Sequence, residues 1–161
     1  MRVGVVGAGS FGTSLASLLA GKGYEVRLWA REEALVRSIN DTRENGTYLP
    51  GFKLPPTLTA THVLEEAVEG RDMVVMATPS HAAREVAGRL KGALPKNVPI
   101  VTVSKGIENE SLLTMTEVLE EALPVEFHPY LAVLSGPSFA REIAQKLPTA
   151  VTVASVWPRV A

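Results

Sequence analysis

The chain has 161 residues, enough for one domain with a sizeable core, and its 46% hydrophobic and 20% charged residues are typical of an ordinary folded protein. Its formal net charge is −1, so the chain lacks the basic excess expected of a protein that binds nucleic acid or membrane surfaces. This charge does not exclude a local basic pocket for a phosphate. The absence of cysteine excludes disulfides and thiolate chemistry, and with no signal-peptide pattern and no apolar run of about 18 residues we expect a soluble, cytoplasmic protein.

The amino-terminal part of the chain alternates short apolar runs with helical periodicity. In chain order we predict a strand at 2–6, a helix at 10–22, a strand at 25–30, a helix at 31–40, a loop at 45–56, a strand at 58–60 and a helix at 63–68. The first helix carries an apolar stripe made of Phe11, Leu15, Leu18 and Leu19. The loop is rich in glycine and proline, and at about a dozen residues it has the length at which loops are often functional.

The carboxyl-terminal part continues the same alternation. We predict strands at 72–77, 99–104, 130–135 and 149–154, with helices between them at 79–90, 111–123 and 137–145. The helix at 111–123 has a stripe of Leu112, Met115, Leu119 and Ala122. Strands that are apolar on both faces, each followed by an amphipathic helix, indicate a doubly wound α/β fold with a mostly parallel sheet and helices on both faces.

A glycine motif follows the first predicted strand directly. Residues 7–12 read G-x-G-x-x-G, a weak pattern alone, but here it lies between a strand and a helix, which is the context that supports a dinucleotide site in a Rossmann-type sheet. Gly7 would allow the tight turn, Gly9 the approach of a pyrophosphate and Gly12 close helix–strand packing. The N–H groups at the start of the helix would then face the phosphates. A turn that merely needs glycine is the alternative.

The end of the second strand bears on which dinucleotide binds. A cofactor without a 2′-phosphate usually meets an acidic residue about 20 residues beyond the motif, where this sequence has Ala30 followed by Arg31. A guanidinium can pair with a 2′-phosphate and stack on adenine, so we predict NADP(H) as the preferred cofactor. The neighbouring Glu32 keeps NAD(H) open, and a solvated charge at the start of a helix is the alternative role for Arg31.

Ligands of open α/β sheets lie beyond the carboxyl ends of the strands, and two further strand ends carry polar residues of interest. Thr78 and Ser80 either line the ribose and pyrophosphate region or cap the next helix. Lys105, followed by Gly106, stands at the tip of a buried strand. It is predicted to bind a substrate phosphate or to polarise a hydroxyl or carbonyl during hydride transfer, the alternative being a solvated loop lysine.

A third strand end precedes the helix predicted at 137–145. Pro137 suits the first position of that helix and Gly136 its cap. Gly136 and the N–H and hydroxyl of Ser138 would then form a second small anion-binding corner, with ordinary cap chemistry as the alternative. No metal site is predicted, because none of the three histidines has a partner at metal-ligand spacing.

Taken together, these segments make the chain resemble the bacterial-type NAD(P)-dependent glycerol-3-phosphate dehydrogenases from residue 4 to about residue 154. The matching stretches are 7–13, 48–50, 79–80, 105–108, 135–142 and 147–150. The lysine–glycine and serine–glycine–proline motifs are far more specific than the glycine fingerprint. The resemblance implies hydride transfer between NAD(P)H and dihydroxyacetone phosphate, giving sn-glycerol 3-phosphate for glycerophospholipid synthesis.

The resemblance also implies roles for individual residues. The implied cofactor contacts are Ser10, Phe11, Arg31, Lys105 and Ala140. The implied substrate contacts are Lys105, Gly136 and Ser138, and Lys105 is the residue of this chain that we expect to take part in catalysis. Together with Gly7, Gly9 and Gly12 of the fingerprint, these residues form the predicted site.

A second, all-helical domain follows in the family, where it supplies the lysine that donates and accepts the proton and an arginine-containing segment for the substrate phosphate. We therefore expect residues 1–161 to be the NAD(P)-binding domain alone, a truncated or proteolysed piece that binds dinucleotide but turns over very slowly or not at all. A homodimer is left open. So are two other functions, a related dehydrogenase of a 3-hydroxy acid or sugar-acid phosphate and a non-catalytic module that senses dinucleotide.

Overall fold

The computed structural model describes every residue from Met1 to Ala161 and contains one seven-stranded sheet. The strands are β1 (Arg2–Val6), β2 (Glu25–Trp29), β3 (Leu58–Thr61), β4 (Met73–Met76), β5 (Ile100–Thr102), β6 (Leu131–Ser135) and β7 (Thr152–Ala154). The helices are α1 (Ser10–Gly21), α2 (Glu33–Thr42), α3 (Leu64–Val68), α4 (Ser80–Leu90), α5 (Met115–Ala122) and α6 (Ala140–Ala144), and a 3-10 helix spans Val125–Tyr130.

The strands lie in the order β3-β2-β1-β4-β5-β6-β7, and all neighbours are parallel except β6 and β7. The chain first winds outward from β1 to β3, then crosses back to β4 on the other side of β1. The winding direction therefore reverses between β1 and β4, and ligands of open α/β sheets bind at such a switch point. The predicted doubly wound, mostly parallel Rossmann-type sheet is confirmed.

Two apolar cores cover the two faces of the sheet, because successive side chains of a strand point to opposite sides. Val5 belongs to the core that includes α1 and α2, with Ile39 fully buried in it. Val6 belongs to the core that includes α3, α4 and α5, with Leu90 fully buried in it. Burial of each such side chain contributes about 1.5–3 kcal/mol, which explains why these strands are apolar on both faces.

The face that α1 buries differs from its predicted apolar stripe. Its buried positions include the small residues Gly12, Ala16 and Ala20, which allow the helix to lie close to the sheet. Three stripe residues pack half-buried at the margin of the core, and the fourth, Leu18, is 36% exposed. Here close approach of the helix backbone outweighs the area that larger side chains would bury.

Helix α5 begins four residues later than predicted, at Met115. Thr114 and Glu117 form a capping box that starts the helix there. The preceding loop closes through a bridge between Ile107 and Thr114, and Leu112 has a left-handed backbone (φ 59°) and a side chain that is 69% exposed. The assignment of Leu112 to the helical stripe is therefore wrong, because cap and loop hydrogen bonds outweigh the apolar periodicity at this end.

Helix α6 also begins later than predicted, at Ala140 with Phe139 as its cap residue. The prediction of Pro137 as the first helical position and Gly136 as its cap is wrong. Gly136 has φ 147°, and a Cβ at this position would lie 2.8 Å from the carbonyl oxygen of Ala150. The chain bends at Gly136 and Pro137 instead of entering the helix, and Gly136 packs against the segment that leads into β7.

The remaining predicted strands and helices are present with ends that differ by up to three residues, and the 3-10 helix was not predicted. Strand β7 is exposed along its whole length and pairs only with β6. None of the helices combines the length and apolar character that crossing a membrane requires.

Candidate functional site

A cleft with a volume of about 710 Å³ lies at the carboxyl ends of the central strands. Its wall contains residues that follow β1, β2, β4 and β5, as the switch point of the sheet leads us to expect. All predicted site residues except Gly136 lie in this wall: Gly7, Gly9, Ser10, Phe11, Gly12, Arg31, Lys105, Ser138 and Ala140. The structure thus brings together residues that are up to 133 positions apart in the chain (140 minus 7).

The three fingerprint glycines border different surroundings. Gly7 has φ 123°, and a Cβ there would lie 2.5 Å from the carbonyl oxygen of Ala77. A Cβ on Gly12 would lie 2.0 Å from the carbonyl oxygen of Gly7. A Cβ on Gly9 would meet no atom within 4 Å, so Gly9 leaves open space on the cleft side. This pattern fits the predicted roles, one glycine for the tight turn, one for the approach of a ligand and one for close packing.

Unpaired hydrogen-bond donors face this cleft at the start of α1. The backbone N–H groups of residues 9–12 donate to no other group of the protein, and the positive end of the helix dipole adds to their attraction for an anion. The hydroxyl of Thr78, also in the wall, is buried without a hydrogen-bond partner. These donors and the space beside Gly9 fit the phosphates and hydroxyls of a dinucleotide.

Lys105 connects the two predicted halves of the site. Its Nζ lies 5.9 Å from the centroid of the Phe11 ring, next to the glycine turn. The same ammonium donates a hydrogen bond to the carbonyl oxygen of Gly136 over 3.1 Å. A single flexible cation therefore spans the residues predicted for the cofactor and those predicted for the substrate.

Gly136 lies just behind the cleft wall and contributes its carbonyl group. The Ser138 hydroxyl, in a residue only 8% exposed, donates to the same carbonyl oxygen over 3.3 Å. Two donors, Lys105 and Ser138, thus converge on one acceptor. The anion-binding corner inferred from a helix cap at Gly136 loses its structural basis, while Gly136 and Ser138 remain predicted substrate contacts.

Arg31 and Glu32 lie together at the end of β2, on the rim of the cleft. The Arg31 side chain is 83% exposed, and its Nη2 lies 3.1 Å from Glu32 Oε1. An exposed ion pair of this kind contributes little to stability, so the guanidinium can turn toward a ligand at small cost. The cation that would favour a 2′-phosphate and the acid that would suit a ribose hydroxyl stand side by side.

Sequence reasoning missed several side chains that hold the site. Asn45 is completely buried and binds the glycine turn, although its position before Gly46 indicated only a loop. Ser14 donates to the carbonyl oxygen of Ala140 over 2.8 Å and so fixes α6 against α1. Neither residue could have been found by periodicity, because each acts through a contact between distant segments.

An ion-pair cluster supports the loop that carries Lys105. Arg84 on α4 makes three hydrogen bonds to Glu108 over 2.7–3.1 Å, and Ser111 also donates to that carboxylate. These contacts, first of all Arg84, lower the pKa of Glu108 to about 2, and Glu108 and then Glu121 raise the pKa of Arg84. The loop is therefore tied to α4 by a carboxylate that stays charged across the physiological pH range.

Comparison with known sequences and structures agrees with this architecture. The family model for the NAD-dependent glycerol-3-phosphate dehydrogenase N-terminus matches residues 2–161. The chain is 60% identical to a glycerol-3-phosphate dehydrogenase [NAD(P)+] of Myxococcus xanthus, covering 100% of this chain and 48% of that protein. It is 56% identical to the protein of the same name from Anaeromyxobacter sp. (strain K), again over 100% of this chain and 48% of the relative. The chain thus spans about half the length of these relatives.

Solved structures show the same fold. The crystal structure of glycerol-3-phosphate dehydrogenase from Coxiella burnetii superposes with a TM-score of 0.87 at 37% identity, covering 98% of this chain and 47% of the other. The glycerol-3-phosphate dehydrogenase of Saccharomyces cerevisiae gives a TM-score of 0.86 at 30% identity, covering 99% and 48%. With a family match over nearly its whole length, the chain belongs to the NAD-dependent glycerol-3-phosphate dehydrogenases, whose N-terminal part it matches.

Proposed function

We propose that the cleft binds NADP or NAD and that the protein in its full length interconverts dihydroxyacetone phosphate and sn-glycerol 3-phosphate by hydride transfer. The observation that carries this proposal is the position of Lys105. Its ammonium lies between Phe11, at the glycine turn, and the Gly136–Ser138 segment. The names of the relatives support the same activity. The product would feed glycerophospholipid synthesis.

The residues of this chain would contribute binding and electrostatics to the reaction. When bound, the nicotinamide ring supplies or accepts the hydride. The N–H groups at the start of α1 would hold the pyrophosphate, with Gly9 leaving room for it. The Lys105 ammonium would stabilise the negative charge that grows on the carbonyl oxygen of dihydroxyacetone phosphate as it is reduced. Gly136 and Ser138 would border the substrate beside that ammonium.

NADP is the proposed preferred cofactor, and Arg31 supports this choice. Its guanidinium is exposed at the rim of the cleft and is engaged only by Glu32. Pairing with a 2′-phosphate would replace a weak surface ion pair by a stronger, charge-assisted contact. NAD would lack that contact, while Glu32 would still be available to its ribose.

Calorimetric titration of the protein with NADPH and with NADH tests the binding step. We expect both nucleotides to bind, NADPH more tightly, and Arg31→Ala to reduce the affinity for NADPH by about tenfold, or about 1.4 kcal/mol, with a smaller effect on NADH. Arg37→Ala is a matched control, because Arg37 forms a similar exposed ion pair outside the cleft. Absence of binding by both nucleotides to folded protein would overturn the proposal.

The activity is tested with the full-length protein. Oxidation of NADPH should depend on dihydroxyacetone phosphate and should yield sn-glycerol 3-phosphate. If NADPH binds but no such oxidation occurs, the dinucleotide site stands and the substrate assignment is wrong.

A further inference from the structure

The loop predicted at 45–56 begins with a side chain that is unusual for a loop. Asn45 is 0% exposed. Its Nδ2 donates to the carbonyl oxygen of Ala8 over 2.9 Å and to Thr13 Oγ1 over 2.8 Å, and its Oδ1 accepts from the backbone N–H of Tyr48 over 3.0 Å. Both polar atoms of the Asn45 amide therefore have hydrogen-bond partners within the protein, as a buried amide requires.

The contact with Ala8 reaches the glycine turn itself. The Ala8 carbonyl oxygen accepts a second hydrogen bond from Thr13 Oγ1 over 3.1 Å. In a trans peptide the carbonyl and the N–H point to opposite sides, so the bond that holds the Ala8 carbonyl toward Asn45 also fixes the direction of the Gly9 N–H. That N–H has no partner in the protein, and Gly9 borders the cleft. Asn45 thus sets the orientation of a donor that it does not touch.

The other end of Asn45 reaches the wall of the same cleft. Besides the bond from Tyr48 N to the side chain, the backbone N–H of Leu49 donates to the Asn45 carbonyl oxygen over 2.9 Å. Tyr48 lines the cleft, and Leu49 is 1% exposed and anchors the segment in the interior. One buried residue therefore connects the turn on one side of the cleft with the loop on another.

We propose that Asn45 is a positioning residue for dinucleotide binding. It fixes the direction of the Gly9 N–H through the Ala8 carbonyl, and it holds Tyr48, which lines the cleft, at a fixed distance from the glycine turn. This inference rests on the proposed function of the cleft as a dinucleotide site. Asn45 does not contact the ligand; loss of its side chain leaves the turn free to rotate its peptide planes, so that binding must restrict a more mobile set of donors.

A second asparagine offers a matched control. Asn40 also bridges distant segments with its amide, donating to the Ala60 carbonyl oxygen over 3.1 Å and accepting from the Ala60 N–H over 2.8 Å. It lies at the end of α2 against β3 and has no place in the cleft wall. Asn40 is exposed, and Asn40→Ala removes two side-chain hydrogen bonds, one fewer than Asn45→Ala, without touching the glycine turn, so it is the control for loss of amide hydrogen bonds elsewhere in the fold.

The experiment measures NADPH affinity by calorimetry and thermal stability by circular dichroism for the unaltered protein, Asn45→Ala and Asn40→Ala. We expect both variants to melt earlier, but only Asn45→Ala to lose affinity, by about tenfold or more, since the donors of the turn are no longer fixed. Equal affinity of Asn45→Ala and the unaltered protein would overturn the inference and leave the dinucleotide site intact. Failure of the unaltered protein to bind would overturn both.

A second pair of variants keeps the test decisive if Asn45→Ala does not fold. Thr13→Val is nearly isosteric and removes one of the two donors to the Ala8 carbonyl, whereas Thr13→Ser keeps the hydroxyl. We expect weaker NADPH binding in Thr13→Val and near-normal binding in Thr13→Ser. Equal affinities of these two variants would count against control of the Gly9 N–H by the Ala8 carbonyl.

Discussion

At the scale of single residues, the glycines of the turn after β1 differ in what an added methyl group would contact. This difference distinguishes a glycine that the fold requires from one that leaves room for a ligand. At Gly12 a Cβ would lie 2.0 Å from a backbone oxygen, which no side-chain movement can relieve. At Gly9 the backbone is extended (φ −64°, ψ 177°), and a Cβ would enter empty space. Gly12 is therefore needed by the fold, whereas the fold does not require Gly9, which agrees with its proposed role at the ligand.

The substitutions Gly9→Ala and Gly12→Ala should have opposite effects. Gly9→Ala should leave thermal stability nearly unchanged and weaken NADPH binding, because its methyl group occupies the open side of the turn. Gly12→Ala should lower stability by about 1–3 kcal/mol or more through overpacking. Melting curves and calorimetric titration of both variants check this. Unaltered NADPH affinity in Gly9→Ala would contradict the assignment of the turn to phosphate binding.

Lys105 belongs to the same scale, because its role depends on one charge. In the full-length protein, Lys105→Ala should reduce kcat with dihydroxyacetone phosphate by about 10²–10³, the usual effect of removing a group that stabilises charge in the transition state. NADPH binding should be much less affected, because the N–H groups of α1 remain. Steady-state kinetics and titration separate the two. Lys91→Ala, an exposed lysine at the end of α4 outside the cleft wall, should behave like the unaltered protein.

At the scale of elements, the loop between β5 and α5 shows how a helix end can depend on charge as well as on apolar periodicity. Arg84 on α4 holds Glu108 through three hydrogen bonds. The Glu108 N–H donates to the Leu113 carbonyl oxygen, and the Glu108 carbonyl oxygen accepts from the Leu112 N–H. The loop is thus a closed unit with its own interior contacts. Lys105 stands at its beginning, so the position of its ammonium depends on this unit.

Stability should report on this ion pair through pH. The pKa of Glu108 is about 2 in the folded protein against 4.5 for the free side chain, so the carboxylate stabilises the fold fully above about pH 4.5 and loses this contribution as the pH falls toward 2. Urea unfolding should therefore show Glu108→Gln to be less stable at pH 7, with a smaller difference at pH 3. Glu110→Gln, an exposed neighbour in the same loop, should show no such trend. An equal difference for Glu108→Gln at both pH values would exclude this role of the ion pair.

At the scale of the whole molecule, the cleft lies between the two halves of the sheet, so a ligand that binds there contacts both. Ligand that binds only the folded state stabilises the whole cooperative unit. At a concentration 100 times its dissociation constant, NADPH should add about 2.7 kcal/mol, which corresponds to a rise in melting temperature of roughly 5–11 °C for a chain of this size. A melting series with NADPH, NADH and inorganic phosphate measures this effect. No shift with either nucleotide would contradict the proposed site.

The order of strands and helices and the glycine turn were predictable from the sequence because they depend on local signals. Apolar periodicity distinguishes strands from helices, and a glycine fingerprint between a strand and a helix indicates a phosphate-binding turn. The motifs at Lys105 and at Gly136–Ser138 could be found for the same reason, since each follows a recognisable apolar strand. The ends of α5 and α6 could not, because capping by Thr114 and packing of Gly136 against Ala150 decide them.

Only the tertiary structure decided how these segments meet. Three contacts join residues that are far apart in the chain: the hydrogen bond from Asn45 to Ala8, the hydrogen bond from Lys105 to Gly136, and the ion pair of Arg84 with Glu108. Such contacts leave no period or short-range pattern, because they depend on the three-dimensional approach of elements rather than on the neighbours of a residue. The sequence by itself thus determined the elements and the chemistry available to this protein, and the packing of the sheet and helices determined which residues act together.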